Sequence, residues 1–130
     1  MRLIYSAIIF RMNKILRYVL LIGIFIIPFI PFVISSTMFF PFITGKNFLF
    51  RILIELLVGG WAILAVFDKA YRPKFSWLLI SILSFVGIIA LADIFGVNPF
   101  KSFWSNFERM EGFLMLAHLL GYFVVVGTVL

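Results

Sequence analysis

Four ionisable residues stand inside long apolar runs of this sequence: Arg51, Glu55, Asp93 and His118. A charge near the centre of a bilayer costs about 2.5–3.5 kcal/mol on insertion scales, so such residues face a partner or a wet cavity. Arg51 and Glu55 are four positions apart, which on a helix sets them on one face within pairing distance. They read either as a structural ion pair, with Arg51 reaching toward the surface, or as a polar floor beneath an outward-facing site. Asp93 lies near the end of its run, shallow enough to be solvated, and His118 fits a hydrogen-bonded packing role better than that of a base or ligand. One His and no Cys leave no zinc site and no thiol nucleophile, so no metal or cofactor is expected.

A second set of chemistry-bearing residues occupies Asn98–Gly112, NPFKSFWSNFERMEG. On a helix, Phe100, Phe103, Trp104, Phe107 and Met110 fall on one arc, while Lys101, Ser102, Ser105, Asn106, Glu108 and Arg109 fall on the other. Asn98 suits the cap and Pro99 the first turn, where a missing N–H costs nothing. The segment therefore reads as an amphipathic helix lying in a membrane interface with its charges presented outward. Glu108 and Glu111 are three apart, but two carboxylates without a substrate groove do not make a glycosidase.

The elements that position these residues are membrane spans. Hydrophobic residues make up 65% of the 130 and charged residues 12%, against roughly 45–50% and 25% in soluble domains. Four apolar runs, Ile15–Ile34, Phe48–Phe67, Trp77–Phe95 and Phe113–Leu130, approach the ~20 residues that cross a bilayer. The fold class is all-α: a single polytopic helix bundle of about four spans, with the interfacial helix in its second outer loop. Arg2, Arg11, Lys14 and Arg17 precede the first run, and Lys69, Arg72 and Lys74 separate the second from the third. Only Lys46, Lys101 and Arg109 fall in the alternate connections. By the positive-inside rule the N-terminus and the Asp68–Ser76 loop are cytoplasmic, and Asn98–Gly112 is outside.

All four ionisable residues then lie in the outer halves of their spans. At 1.5 Å per residue Arg51 is ~4–5 Å below the outer boundary, Glu55 ~10 Å, His118 ~7–8 Å and Asp93 ~3 Å. Pro28 and Pro31 should kink the outer end of the first span, and Thr44–Asn47 reads as a turn with Asn47 capping the second. Gly59-Gly60 sits mid-span, where it permits close helix packing. The +6 net charge is distributed over span ends rather than a groove, so nucleic acid is not an expected partner. Basic residues before an apolar run also fit a signal peptide, but no A-x-A site follows. The sequence stops at Leu130 inside an apolar run, which reads as the N-terminal piece of a longer membrane domain. There is no Walker loop, no dinucleotide fingerprint and no nucleophile elbow.

From Phe39-Phe40-Pro41-Phe42-Ile43-Thr44-Gly45-Lys46-Asn47, through Asp93-Ile94-Phe95-Gly96-Val97-Asn98-Pro99, to Ser102–Gly112, the chain resembles bacterial O-antigen ligase-like membrane proteins, grouped with the O-antigen polymerases. The likeness covers about residues 36–130, and its most specific part is Trp104-Ser105-x-x-x-Arg109-x-x-Gly112. It implies a multi-pass protein of the bacterial inner membrane. It also implies an enzyme that moves a glycan from undecaprenyl pyrophosphate to a lipid, glycan or protein acceptor at the periplasmic face. Such a site needs cations for the pyrophosphate, and Arg offers a planar, bidentate match to phosphate oxygens. The resemblance makes Arg109 the first candidate donor contact, with Lys101, Arg51 and Trp104 in support. The family's catalytic arginines and histidine surround a large loop further along than residue 130, so His118 is not equated with that histidine. A rival reading of the same residues is a small non-enzymatic four-helix membrane protein, such as a transporter subunit or assembly factor.

Overall fold

A computed structural model of the chain describes residues 2–33, 43–106 and 111–130, with the backbone alone for 2–10. Helix α1 (Arg2–Ile26) passes into a 3-10 helix (Ile27–Phe32). There follow α2 (Thr44–Phe67), a 3-10 turn (Lys69–Tyr71), α3 (Trp77–Ile94), the short α4 (Pro99–Trp104) and α5 (Phe113–Val129). No strand occurs among the described residues. Three stretches, Arg11–Phe32, Thr44–Phe67 and Trp77–Ile94, are helical, long and apolar enough to cross a membrane, and α5 is a shorter apolar helix. The chain is an all-α membrane bundle.

Its core is built by α1, α2 and α5, whose Leu20, Ile24, Ile54, Leu57, Leu64 and Val125 are buried together. Helix α3 packs beside α5 and buries only Val86. A helix apolar on every side with so little of it covered is surrounded by lipid. Neighbouring contacts fix the helix directions. Gly60 lies against Leu16 and Leu20, and Gly23 against Leu57, so α1 and α2 are antiparallel. Glu55 meets His118 and Val58 meets Gly121, so α2 and α5 run the same way. The start of α3 lies beside Val124 and Thr128 of α5, and its end beside Phe113. The result is the alternating serpentine that the charge pattern implies. Lys69, Arg72 and Lys74 collect at one end of the bundle, and α4 closes the other.

The second span starts a turn earlier than its residue types indicate. Helix α2 begins at Thr44, and the Asn47 N–H donates to the Ile43 carbonyl at 3.1 Å, so Asn47 is inside the first turn rather than capping it. Turn propensity at Thr-Gly-Lys-Asn is a weak preference. It yields where an extra turn satisfies backbone groups near hydrocarbon. The glycine pair divides its work: a Cβ on Gly60 would meet Leu20 at 3.0 Å, whereas Gly59 faces open space. Only Gly60 carries the close packing with α1.

The prolines mark a change from α to 3-10 geometry in the first span and leave a vacancy that α5 fills. Helix α1 gives way to 3-10 geometry at Ile27, one residue before Pro28. Pro28 has no N–H to offer the carbonyl four residues back, which belongs to the buried Ile24. The Tyr122 hydroxyl donates to that carbonyl at 3.2 Å. Tyr122→Phe should therefore cost about 1–2 kcal/mol of bundle stability, the range for an acceptor left unmet in an apolar setting. In a Pro28→Ala background, which restores a local N–H, unfolding in bicelles should show that cost shrinking toward zero. Equal costs in both backgrounds would break the link between the proline and the tyrosine.

At the opposite end the Trp61 indole N–H donates to Tyr71 O at 3.0 Å, and Arg72 Nε donates to Ala65 O at 2.9 Å. The Asp68 carboxylate accepts the Ala70 N–H at 2.9 Å. These bonds hold the 68–72 connection onto the last turns of α2, and the arginine meets a carbonyl in the last turn of the helix. Arg72 is extended at ψ 144 before Pro73, as a residue preceding proline should be.

Candidate functional site at the loop end of the bundle

Helix α4 starts as its sequence prescribes. The Asn98 side chain accepts the Lys101 N–H at 3.1 Å, and Pro99 takes the first turn. It stops sooner than the aromatic spacing indicates. The helix ends at Trp104, and Ser105 adopts φ 61, ψ −160, a region that side chains other than glycine's rarely enter. The cause is tertiary. A Cβ placed on Gly112 would overlap the carbonyl oxygens of Phe103 and Ser102, the latter at 2.6 Å. The chain leaves α4 at Ser105 and is back against the same turn at Gly112, so one straight helix over 98–112 is excluded.

The aromatic arc survives in shortened form. Phe103 meets Trp104 edge-to-face at 5.3 Å, Phe100 lies 6.4 Å from Trp104, and Phe103 stacks toward Phe113 at 5.9 Å. Phe100, Phe103 and Trp104 are all exposed, which suits a short element resting in a membrane interface. Beneath it a cavity of about 260 Å³ is lined by Ala90, Asp93, Ile94, Pro99, Phe103 and Phe113. Asp93 is the charged residue of that lining.

The polar residues of the spans lie one to two turns deeper. Arg51 is 7% exposed, so it is buried in α2 instead of reaching the surface. Glu55, one turn on, points into an open groove of about 420 Å³ between α2 and α5, together with His118, Gly59 and Gly121. His118 Nε2 stands 3.3 Å from Glu55 Oε1, with the histidine side chain 10% and the glutamate side chain 70% exposed. His118 Nδ1 stands 2.7 Å from Leu114 O. A carbonyl only accepts, so Nδ1 carries a hydrogen and donates it. Nε2 is then left for Glu55, and a hydrogen bond between the two needs one further proton, on the imidazole or on the carboxyl.

Lys101 and Trp104 thus share α4, which rests on α3 and α5, while Arg51 is carried by α2. Arg109, with Phe107, Glu108 and Met110, lies outside the described residues. The contact that sequence reasoning missed is the one from Glu55 across the bundle to His118. The signal was present in their similar depth below the outer boundary, but the i, i+4 spacing to Arg51 concealed it. Among the described residues no group of three His, Cys, Asp or Glu side chains could hold a metal ion. No protein-family model matches the chain, and comparison with curated proteins and with solved structures gives no match.

Proposed function

We propose that this chain contributes membrane spans and an outer-face loop to a glycosyltransferase of the O-antigen ligase kind, acting at the periplasmic face of a bacterial inner membrane. The donor is a glycan on undecaprenyl pyrophosphate, and the acceptor hydroxyl belongs to a lipid, glycan or protein. The observation that carries this reading is the constrained backbone at two residues of the motif, Ser105 and Gly112. The residues that give the resemblance its specificity include Ser105, held at φ 61, and Gly112, packed where no Cβ fits. Backbone strain and close approach of this kind persist where a loop must keep one shape.

The arrangement also suits the substrate's divided chemistry. A polyprenyl tail stays in lipid while its pyrophosphate and sugar stay in water, and the exposed aromatics of α4 lie at such a boundary. Arg109 supplies the planar cation for the pyrophosphate as the bond to the sugar breaks, and Lys101 and Arg51 add positive charge on the same side.

In proteoliposomes carrying the complete enzyme to which these spans contribute, and given a lipid-linked glycan, Arg109→Ala should lower kcat/KM about tenfold or more, the loss of one charge-assisted hydrogen bond to phosphate. Unchanged transfer would remove the proposal. The orientation is tested separately: a reporter active only in the cytoplasm should work when fused near Asp68 and stay silent when fused near Asn106.

A further inference from the structure

At the end of the bundle away from α4, the seam between α3 and α5 is open. A cleft of about 250 Å³ lies there, with Lys74 and Ser76 at its mouth and Leu78, Leu79, Val124 and Gly127 among its deeper walls. Phe75 and Trp77 are both exposed and meet edge-to-face at 5.7 Å. Paired exposed aromatics at the start of an apolar helix mark the level of the membrane–water boundary. Lys74 precedes that level and Leu78 follows it, so the cleft is cationic at headgroup depth and apolar at acyl depth.

The local charge balance has one sign. Lys69, Arg72 and Lys74 stand against Asp68 alone, and the Asp68 carboxylate already accepts the Ala70 N–H. Ser76 makes no capping bond with its side chain, so its hydroxyl is free to donate. The Thr128 hydroxyl, by contrast, donates to Val124 O and Val125 O at 2.8 and 3.1 Å and asks nothing of the cleft. Size decides among occupants. The volume is below the ~300–1,000 Å³ of sites that enclose a whole small molecule, and the gap lies within one helix seam rather than across a face that would seat a helix ~10 Å wide. The headgroup-proximal part of one lipid acyl chain fits both limits.

We propose that this cleft holds an acyl chain of an anionic glycerophospholipid from the surrounding bilayer, with the lipid phosphate against Lys74 and Ser76. Basic pockets between spans are a recurrent setting for such headgroups. The test is native mass spectrometry of the protein released from vesicles of phosphatidylcholine with a minority of phosphatidylglycerol. The wild-type chain should keep one phosphatidylglycerol in excess over the vesicle ratio. Lys74→Gln should weaken that retention about fivefold, the effect of one cation near the surface, while Lys69→Gln, at a residue that does not line the cleft, weakens it less. Gly127 has no atom within 4 Å of a built Cβ, so Gly127→Leu should grow into the cleft and expel the lipid with helicity unchanged by circular dichroism. Equal retention of both lipids overturns the proposal. So do undiminished retention in both Lys74→Gln and Gly127→Leu, an equal loss in Lys69→Gln, displacement of phosphatidylglycerol by an equimolar short polyprenyl phosphate, or a lipid-free dimer in place of the lipid-bound monomer.

Discussion

Gly112→Ala is expected to unseat the start of α5 from α4 at a cost of about 3 kcal/mol, the upper end of what overpacking a close contact costs. The backbone at Gly112, φ −74 and ψ −165, is open to any residue, so the whole effect comes from contact. The atoms that a Cβ meets first are carbonyl oxygens of Ser102 and Phe103, which belong to the last turn of α4 and cannot swing away as a side-chain tip would. The reporter is the Ser105 amide, which donates to Lys101 O at 2.7 Å and closes that turn. Its hydrogen exchange should speed up about a hundredfold while amides in the middle of α2 stay protected, because the opening is local. Gly127→Ala, where a Cβ meets nothing within 4 Å, is the control that should show no loss. Ser105→Gly should move the other way. It relieves about 1–3 kcal/mol of strain at φ 61 and returns about 0.5–1 kcal/mol in glycine entropy. A Gly112→Ala protein with wild-type exchange at Ser105 would mean that the two ends of the 105–111 connection do not meet, and the proposed donor loop would lose its fixed base.

The same residues show how far the sequence reaches. Span positions were legible because bilayer thickness sets their length: Trp77–Ile94 and Phe113–Val129 match their apolar runs almost residue for residue. The alternation of ends was legible because Lys and Arg are concentrated in alternate connections. The early stop of α4 was not. Phe100, Phe103, Trp104, Phe107 and Met110 keep helical spacing straight through Ser105, and what turns the chain there is a contact that Gly112 makes only after folding. Pro28 announced an unmet carbonyl at Ile24, yet nothing local says that the donor is Tyr122, 98 positions away. The partner of Glu55 was hidden for the same reason, since His118 is 63 positions distant while Arg51 is one turn away on the same helix. Of the candidate site, Lys101 and Trp104 share the short helix α4, which begins where Asn98 and Pro99 indicate, whereas the burial of Arg51 depends on how α2 packs in the bundle. Local rules thus place elements, and tertiary contacts decide what their polar groups face.

The Glu55–His118 pair yields the sharpest non-additive prediction. Removing the imidazole in His118→Leu leaves a carboxyl, 70% exposed, facing the groove between α2 and α5 at membrane depth. The cost should be about 2.5–3.5 kcal/mol, the charge for a carboxylate in such a setting. Glu55→Leu strands Nε2 instead, because Nδ1–H remains committed to Leu114 O, and an unmet acceptor costs about 1–3 kcal/mol. Removing both together removes both grievances. Glu55→Leu/His118→Leu should cost no more than about 1 kcal/mol beyond what buried Arg51 loses with the carboxylate, a loss that Glu55→Leu shares and that therefore cancels in the cycle. Unfolding in bicelles should therefore give a coupling of about 3 kcal/mol or more across the cycle. Single costs that simply add would show that the 3.3 Å contact does not bind the helices. Glu55→Gln separates charge from hydrogen bonding. A glutamine amide N–H donates to a neutral Nε2, so a proton-sharing hydrogen bond predicts a cost under about 1 kcal/mol. A loss as large as that of His118→Leu would show that the pair instead relies on an imidazolium facing a carboxylate.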